Sequence, residues 1–376
     1  MDQASSPLGE PIPGVEVRAQ VLEQALETSL GRLPLRRPPW AARAEVGLGL
    51  ALGLVLVQLA GRLRPLWSTL LPLVLLPLCL GGSLVCYLGP RLLIDPTFPL
   101  LLLLLPVPAV LGFNLVAADR QQREQDADLA AARRIQMGIL PRLFPAFPDR
   151  PDFDLHAFIE PARAVGGDLY DFFLMEKQRL FFLIGDVAGK GVPASLFMAL
   201  TKTLYKASAL RRRAAIGQIM SEVNCEISRE NPESMFVTVF AGILDLATGE
   251  LEYANAGHDP PFILRPGQAP RALTSAGGPP LCAVDDFEYP AEQTTLQVGD
   301  CLVLFTDGVP EAQSGDGQLY SLTRVAAALA AAPETAPEQV IARLIADVRR
   351  FADGAEPADD IAILALRRNA AAVSAP

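Results

Sequence analysis

Five aspartates at four places in this chain have the type and spacing to do chemistry. Asp168 follows Gly166-Gly167 within Ala164-Val-Gly-Gly-Asp-Leu-Tyr-Asp171. Asp186 ends the apolar run Phe181-Phe-Leu-Ile184 through Gly185 and opens Val187-Ala-Gly-Lys-Gly-Val-Pro-Ala-Ser195. Asp307 ends Leu302-Val-Leu-Phe305 through Thr306 and precedes Gly308, while Asp359-Asp360 stands directly before Ile361–Leu366. Singly, each Asp beside Gly is ordinary turn chemistry. Together they differ, because a buried strand ending in Asp places a carboxylate at a sheet edge. The neighbouring Gly lets backbone and ligand approach closely. Converging carboxylates repel one another unless cations neutralise them. Two divalent ions held about 4 Å apart can activate water and clamp a phosphoryl oxygen. The chemistry these residues imply is that of an oxygen-ligated metallohydrolase.

Composition narrows the metal. Only His156 and His258 occur, which excludes a His-rich site and leaves oxygen ligands, favouring Mg or Mn. The five cysteines (Cys79, Cys86, Cys225, Cys282 and Cys301) include no Cys-x-x-Cys pair. Neither a zinc knuckle nor a disulfide framework is indicated, and reduced, buried thiols are expected. No Gly-x-Ser-x-Gly elbow exists for a serine hydrolase.

The elements that must position the aspartates are mostly strands. Strand-like runs are Phe153–Ile159, Leu169–Met175, Leu180–Ile184, Phe236–Leu244, Leu251–Ala254, Pro261–Leu264, Cys301–Phe305 and Ile361–Leu366. Ala247-Thr-Gly249 reads as a hairpin turn. Helices are expected near Pro193–Arg211, Ile216–Glu230, Leu322–Ala331 and Pro337–Phe351. Strands punctuated by paired helices predict an α+β fold, a β-sandwich flanked by helices.

Upstream the character changes. Of 376 residues 51% are hydrophobic, and residues 1–118 carry eight Arg, no Lys and seven acids. That leaves 24 bases against 35 acids in residues 119–376, a net charge of −11. So acidic a catalytic half argues against nucleic acid as partner, and hence against a two-metal nuclease, because phosphate backbones select Lys and Arg. Three uncharged stretches, Val46–Gly61, Pro65–Pro90 and Pro96–Ala118, predict about three transmembrane helices. The first has 16 residues, about 24 Å of helix, and must borrow flanking residues to cross. Arg62, Arg64, Arg120, Arg123, Arg133 and Arg134 match cytoplasmic flanks. Arg32, Arg36, Arg37 and Arg43 then conflict with an outside N-terminus. Three spans nevertheless separate the ends and place the catalytic half in the cytoplasm, in a multi-pass inner (plasma) membrane protein. Between lie Asp119–Leu140, expected as a helix with an apolar stripe at Leu129, Ala132, Ile135 and Ile139. That stripe suits either packing on its own domain or a parallel homodimer through residues 119–140. Pro141, Pro145 and Pro148 end the helix.

Read in order, Gly166-Gly-Asp-Leu-Tyr-Asp171, Ile184-Gly-Asp-Val-Ala-Gly-Lys-Gly-Val-Pro-Ala194, Asn255-Ala-Gly-His258, Phe305-Thr-Asp-Gly-Val309 with Glu311-Ala312, and Asp359-Asp-Ile361 resemble a known family. It is the PPM-type, protein phosphatase 2C-like Ser/Thr phosphatases, in the bacterial branch of RsbU and the sporulation stage II E phosphatase. The resemblance covers about residues 131–367, and Gln136 to Pro141 resembles that branch's leading helix, which acts in switching. It implies an α-β-β-α fold and two divalent cations, Mn or Mg. Asp168 and Asp186 would be shared ligands, with the Val187 carbonyl completing one shell. Asp307 and Asp359 would hold the second ion, and Asp360 would support the site from behind. Arg163 matches a phosphate-binding Arg, and His258 is expected to order its turn rather than act as general acid. Lys190 could face the phosphate but is expected as a loop Lys in solvent. Ala362 stands where a Thr is usual and Cys282 where a Gly is usual. The implied substrate is a phosphorylated STAS-type anti-sigma-factor antagonist, with a catalytically silent signalling scaffold as the alternative.

Residues 1–40, with the run beginning Leu8-Gly-Glu-Pro, an amphipathic helix near Val21–Leu30 and Arg37-Pro-Pro-Trp40, resemble the end of a CHASE-type extracytoplasmic sensor. The resemblance implies that most of such a sensor is missing from this chain. The expected organisation is a sensor remnant at 1–40, a transmembrane region at 41–118, a coupling helix at 119–145, a phosphatase domain at 146–368 and a tail at 369–376.

Overall fold

The computed structural model describes residues 3–5, 11–30, 36–60, 65–142, 144–176, 178–211, 214–229, 231–331 and 336–370. Residues 8–10, Arg32, Arg62, Arg64 and most of the expected tail lie outside the described residues. The chain divides into two compact units, Met1–Glu124 and Gln125–Pro376.

The first unit opens with a two-stranded ribbon, β1 (Gln3–Ser5) and β2 (Pro11–Pro13), followed by α1 (Gly14–Ser29). Helix α1 starts well before the amphipathic stretch expected near Val21. Next come α2 (Ala41–Ala60), α3 (Pro65–Leu88), α4 (Thr97–Leu104) and α5 (Val107–Ile139). Three stretches, Ala41–Leu59, Leu70–Leu88 and Thr97–Ile139, are long and apolar enough to cross a membrane. The first gains its length by starting at Ala41, ahead of Glu45. Glu45 is buried yet satisfied, accepting from Arg37 Nη2 at 3.2 Å and from the Asp95 amide at 2.7 Å. The third stretch breaks at Leu105-Pro106, where proline offers no amide to continue the helix.

The expected coupling helix is not a separate element. It is the distal part of α5, continuous from Val107, since nothing between Ala118 and Asp119 interrupts helical geometry. Its side chains also correct the stripe. Gln136 and Met137 are the buried residues, whereas Ile135 is 67% and Ile139 is 37% exposed.

Among the described residues the second unit holds, besides the distal part of α5, ten strands and four further helices. They are β3 (Phe153–Glu160), β4 (Leu169–Glu176), β5 (Arg179–Val187), α6 (Val192–Arg211), α7 (Ile216–Arg229), β6 (Val237–Asp245), β7 (Glu250–Ala256), β8 (Phe262–Leu264), β9 (Arg271–Ala272), β10 (Glu292–Thr295), β11 (Cys301–Phe305), α8 (Ser321–Ala330), α9 (Pro337–Ala352) and β12 (Ile361–Arg368). One five-stranded sheet has the order β10-β7-β6-β5-β4 and the other β3-β12-β11-β8-β9, with every pairing antiparallel. Strands β9 and β10 were not expected from sequence; both are short and half-exposed, so no apolar run announces them.

Side-chain alternation assembles the layers. On β11 and β12, Leu302, Leu304, Ala362, Leu364 and Leu366 join the main core with β4–β7, α6 and α7. The alternate residues Cys301, Val303, Phe305, Ile361, Ile363 and Ala365 pack beneath α8 and α9. Helix α9 contributes Val340, Ile341, Leu344, Ile345 and Val348, each worth about 1.5–3 kcal/mol when fully buried. The result is helices, sheet, sheet, helices. The turn at Ala247-Thr-Gly249 forms as expected, with Asp245 Oδ1 accepting from the amides of Ala247 and Thr248 at 2.9 Å and Gly249 at φ +81°. All five cysteines are free, but only Cys301 is buried, because the other four sit at element surfaces.

Candidate active site

The register of the sheets carries the aspartates to one edge. Leu169 pairs with Gly185, so Asp168 and Asp186 lie at the same end of neighbouring strands β4 and β5. Phe305 pairs with Ile363, so Asp307 and Asp359-Asp360 lie at the same end of β11 and β12 in the other sheet. Two residues stitch these ends together. Thr306 Oγ1 donates to Asp168 Oδ2 at 2.7 Å and accepts from the Ala362 amide at 2.8 Å. Asp360 accepts from the amides of Ala162 and Gly167, both at 2.7 Å. Both Asp360 oxygens are therefore used in holding the loop that carries Asp168. Ala362 takes part through its backbone amide, which bonds Thr306 and needs no side chain.

Close approach explains the glycines. A Cβ on Gly166 would collide with the Asp360 carboxylate, and one on Gly308 with the Asp360 carbonyl. On Gly167 it would lie 2.6 Å from the Val187 carbonyl oxygen, so that oxygen faces the Asp168 loop. Gln136 reaches the same loop from α5. Its Nε2 donates to the Gly166 carbonyl at 2.6 Å and its Oε1 accepts the Gly166 amide at 3.2 Å.

The electrostatics show what is unbalanced here. Burial, then the Asp186 charge, holds Asp168 well above the usual carboxylate range. Burial, then Asp307, pushes Asp186 up to about 7. Burial, then Asp359, pushes Asp307 up to about 6, with Glu311 and Asp259 adding to it. Asp168 Oδ1 and Asp307 Oδ1 are buried and accept no hydrogen bond. Mutually repelling carboxylates with orphaned oxygens are what a divalent cation would relieve. Among the described residues no group of three or more Asp, Glu, His or Cys side chains is placed to hold a metal ion without rearrangement.

His258 is buried within this edge. Its amide is bonded by Asn255 Oδ1 at 2.7 Å, and Asn255 Nδ2 returns a bond to its carbonyl at 2.9 Å. A neutral ring donates from Nε2 to the Phe305 carbonyl at 3.1 Å and accepts at Nδ1 from Thr238 at 3.0 Å. Burial lowers its pKa to about 4. The ring therefore stays neutral near pH 7 and ties β6 to β11. Arg163 is exposed on the loop held by Asp360, and no ion pair engages it among the described residues. Lys190 lies neither in free solvent nor alone: its Nζ donates to the Ala358 carbonyl at 2.6 Å and is 2.9 Å from Asp359 Oδ2. Below the site, Lys202 of α6 is buried 2.8 Å from Asp171 Oδ2, fastening α6 to β4.

Sequence reasoning missed Thr306 as the link to Asp168, and Asp259 and Glu311 as contributors to the field at Asp307. A polar Thr closing an otherwise apolar strand was the available signal.

A sequence profile of the family described as stage II sporulation protein E (SpoIIE) matches residues 176–369, just over half of the chain. Asp186, His258, Asp307, Asp359 and Asp360 fall inside that match, and Asp168 lies before it. The chain is 31% identical over 282 residues to Protein IcfG of Synechocystis sp., covering 68% of this chain and 44% of that protein. It is 28% identical over 219 residues to the phosphoserine phosphatase RsbU of Bacillus subtilis, covering 57% of this chain and 64% of that protein. It thus spans less than two-thirds of the length of either relative. Among solved structures, the RsbU and RsbW domains of a Mycobacterium tuberculosis protein superpose with a TM-score of 0.51 at 28% identity, over 59% of this chain and 62% of that one. Two antiparallel sheets between helix pairs, acidic strand ends on one edge and a match over more than half the sequence identify the chain as a member of the stage II sporulation protein E (SpoIIE) family, carrying its protein phosphatase 2C-like domain.

Proposed function

We propose that the chain is a membrane-anchored, divalent-metal-dependent phosphoserine/phosphothreonine protein phosphatase of bacterial signalling. The observation that carries this reading is the convergence of Asp168, Asp186 and Asp307, whose pKa values are raised by burial and by one another, with two buried oxygens left unbonded. In this reading Asp168 and Asp186 would be ligands shared by two Mn2+ or Mg2+ ions, the Val187 carbonyl would complete the shell of one, and Asp307 and Asp359 would hold the second. When bound, the ions supply Lewis-acid charge for hydrolysis of a phosphate ester. The chain's own residues do the positioning. Thr306 orients Asp168, and Asp360 pins the loop at Ala162 and Gly167. Arg163 extends from that loop as an uncommitted guanidinium suited to bidentate phosphate binding. His258 holds the turn and, being neutral, is no proton donor at pH 7.

The substrate class, a phosphorylated STAS-type anti-sigma-factor antagonist, rests on the branch resemblance and on similarity to a relative named a phosphoserine phosphatase. Three apolar helices support anchoring in the inner membrane, with the acidic unit in the cytoplasm. The sensor-remnant reading of residues 1–40 rests on resemblance alone. Exposed Ile135 and Ile139 favour α5 as a dimer contact over packing of that stripe on its own domain.

The test is hydrolysis of a phosphoserine peptide by the full chain in detergent micelles, with Mn2+ added or chelated. Turnover is expected with Mn2+, and its loss on chelation or in Asp186→Asn. A folded chain with no turnover under any metal would instead favour the silent scaffold.

A further inference from the structure

The loop 188–192 carries one charged side chain, and its setting is unusual. Lys190 stands between Gly189 at φ +95° and Gly191 at φ +82°, and a Cβ on either glycine would meet nothing within 4 Å. Both flanking residues thus adopt backbone suited to glycine, in open space. The loop is anchored on either side by the Ala188 amide on the Phe236 carbonyl at 2.9 Å and by the start of α6 at Val192. Among the described residues, Lys190 is tied to the Ala358 carbonyl and Asp359.

The two oxygens of Asp359 are not equivalent. Oδ1 accepts the Asp360 amide at 2.9 Å, which leaves Oδ2 as the oxygen free to meet a cation. Oδ2 is the atom that Lys190 occupies, at 2.9 Å. We propose that Lys190 is a built-in monovalent competitor for the divalent cation at Asp359, holding Oδ2 until that ion displaces it and then swinging away on its glycine hinges. This rests on the reading of Asp359 as a metal ligand. Lys190 in this role is a positioning residue: it neutralises Asp359 until a divalent cation arrives, and it sets how much free cation is needed for binding there. Both partners are about one-third exposed, at 34% and 31%, so the ion pair is of moderate strength and open to exchange.

The experiment is a Mn2+ titration of the full chain in detergent micelles, with free Mn2+ read by electron paramagnetic resonance. Wild type, Lys190→Gln, Lys190→Arg and Asp359→Asn are compared. Removing the competitor is expected to tighten the weaker class of Mn2+ sites roughly two- to five-fold, the span of an exposed ion pair. Lys190→Arg keeps the charge and should match wild type, and Asp359→Asn should lose that class. A second reading uses amine acetylation mapped by mass spectrometry, since the chain has only four lysines, Lys177, Lys190, Lys202 and Lys206. Lys190 should label faster with Mn2+ present than with chelator, while Lys206 stays constant. Equal or weaker Mn2+ binding by Lys190→Gln, or unchanged labelling of Lys190, would overturn the proposal alone. Absence of any Mn2+ binding by wild type would remove the metal reading and the proposal with it.

Discussion

Without a counter-ion, Asp168, Asp186 and Asp307 resist ionisation, because burial and each other's charge penalise the carboxylate form. Their folded values lie above the unfolded value of 3.8, so the folded state holds protons that the unfolded chain has released. That stability is present below about pH 4 and is lost as pH rises, through about 7 for Asp186. Metal-free protein should therefore lose stability across this window and regain it with Mn2+. Asp186→Asn should raise the metal-free stability at pH 7.5, by on the order of 2 kcal/mol, while removing Mn2+-dependent turnover. Calorimetry with and without chelator checks both. His258 has the opposite sign: its folded value near 4 lies below 6.5, so its contribution is full above pH 6.5 and fades toward pH 4. In nitrogen-detected NMR its ring should remain neutral from pH 8 to about 5, and titration near 6.5 would contradict the burial argument. Cys282 occupies φ +68°, a left-handed conformation that explains why Gly is usual there. Cys282→Gly should stabilise the protein by about 1 kcal/mol in denaturant unfolding.

At the scale of elements, the site is held by segments that meet only in the fold. Strands β4 and β5 bring two aspartates, β11 and β12 bring three, and α5 grips the Asp168 loop through Gln136. Both Gln136 bonds go to Gly166, two residues from Asp168, so a shift of α5 is transmitted directly to a candidate ligand. Gln136→Ala removes two buried hydrogen bonds and should weaken Mn2+ binding roughly ten-fold, equivalent to about 1.4 kcal/mol. Isothermal titration of the full chain measures it, and unchanged affinity would show that the loop holds itself. The buried Lys202–Asp171 pair performs a separate task, fixing α6 against β4 beneath the site.

For the whole molecule, charge and hydropathy are divided along the chain. Residues 1–118 supply three apolar stretches and residues 119–376 carry a net charge of −11. Such a partition is compatible with a membrane anchor in the first part of the chain. In bacterial cells the full chain should stay with the membrane fraction after an alkaline wash, and a version lacking residues 41–118 should be released. Release of the full chain would remove the anchoring proposal.

What the sequence by itself determined was local. Uninterrupted apolar runs in β11 and β12 specified strands buried on both faces, and the Asp residues at their ends marked the edge where chemistry could occur. The helices expected in the second unit came within a residue or two of their observed ends. Only tertiary structure decided how those marks combine. Thr306 donates to Asp168 across 138 positions of sequence, and Asp360 bonds Gly167 across 193. No local pattern encodes such pairs, because they arise from the packing of two sheets. The stripe on α5 illustrates the same limit. Periodicity found Ile135 and Ile139, but the domain buries Gln136 and Met137 instead, since the surface that meets a helix selects its face. Lys190 was legible as a charge in a glycine loop, and its partner became visible only when the turn before β12 folded beside it.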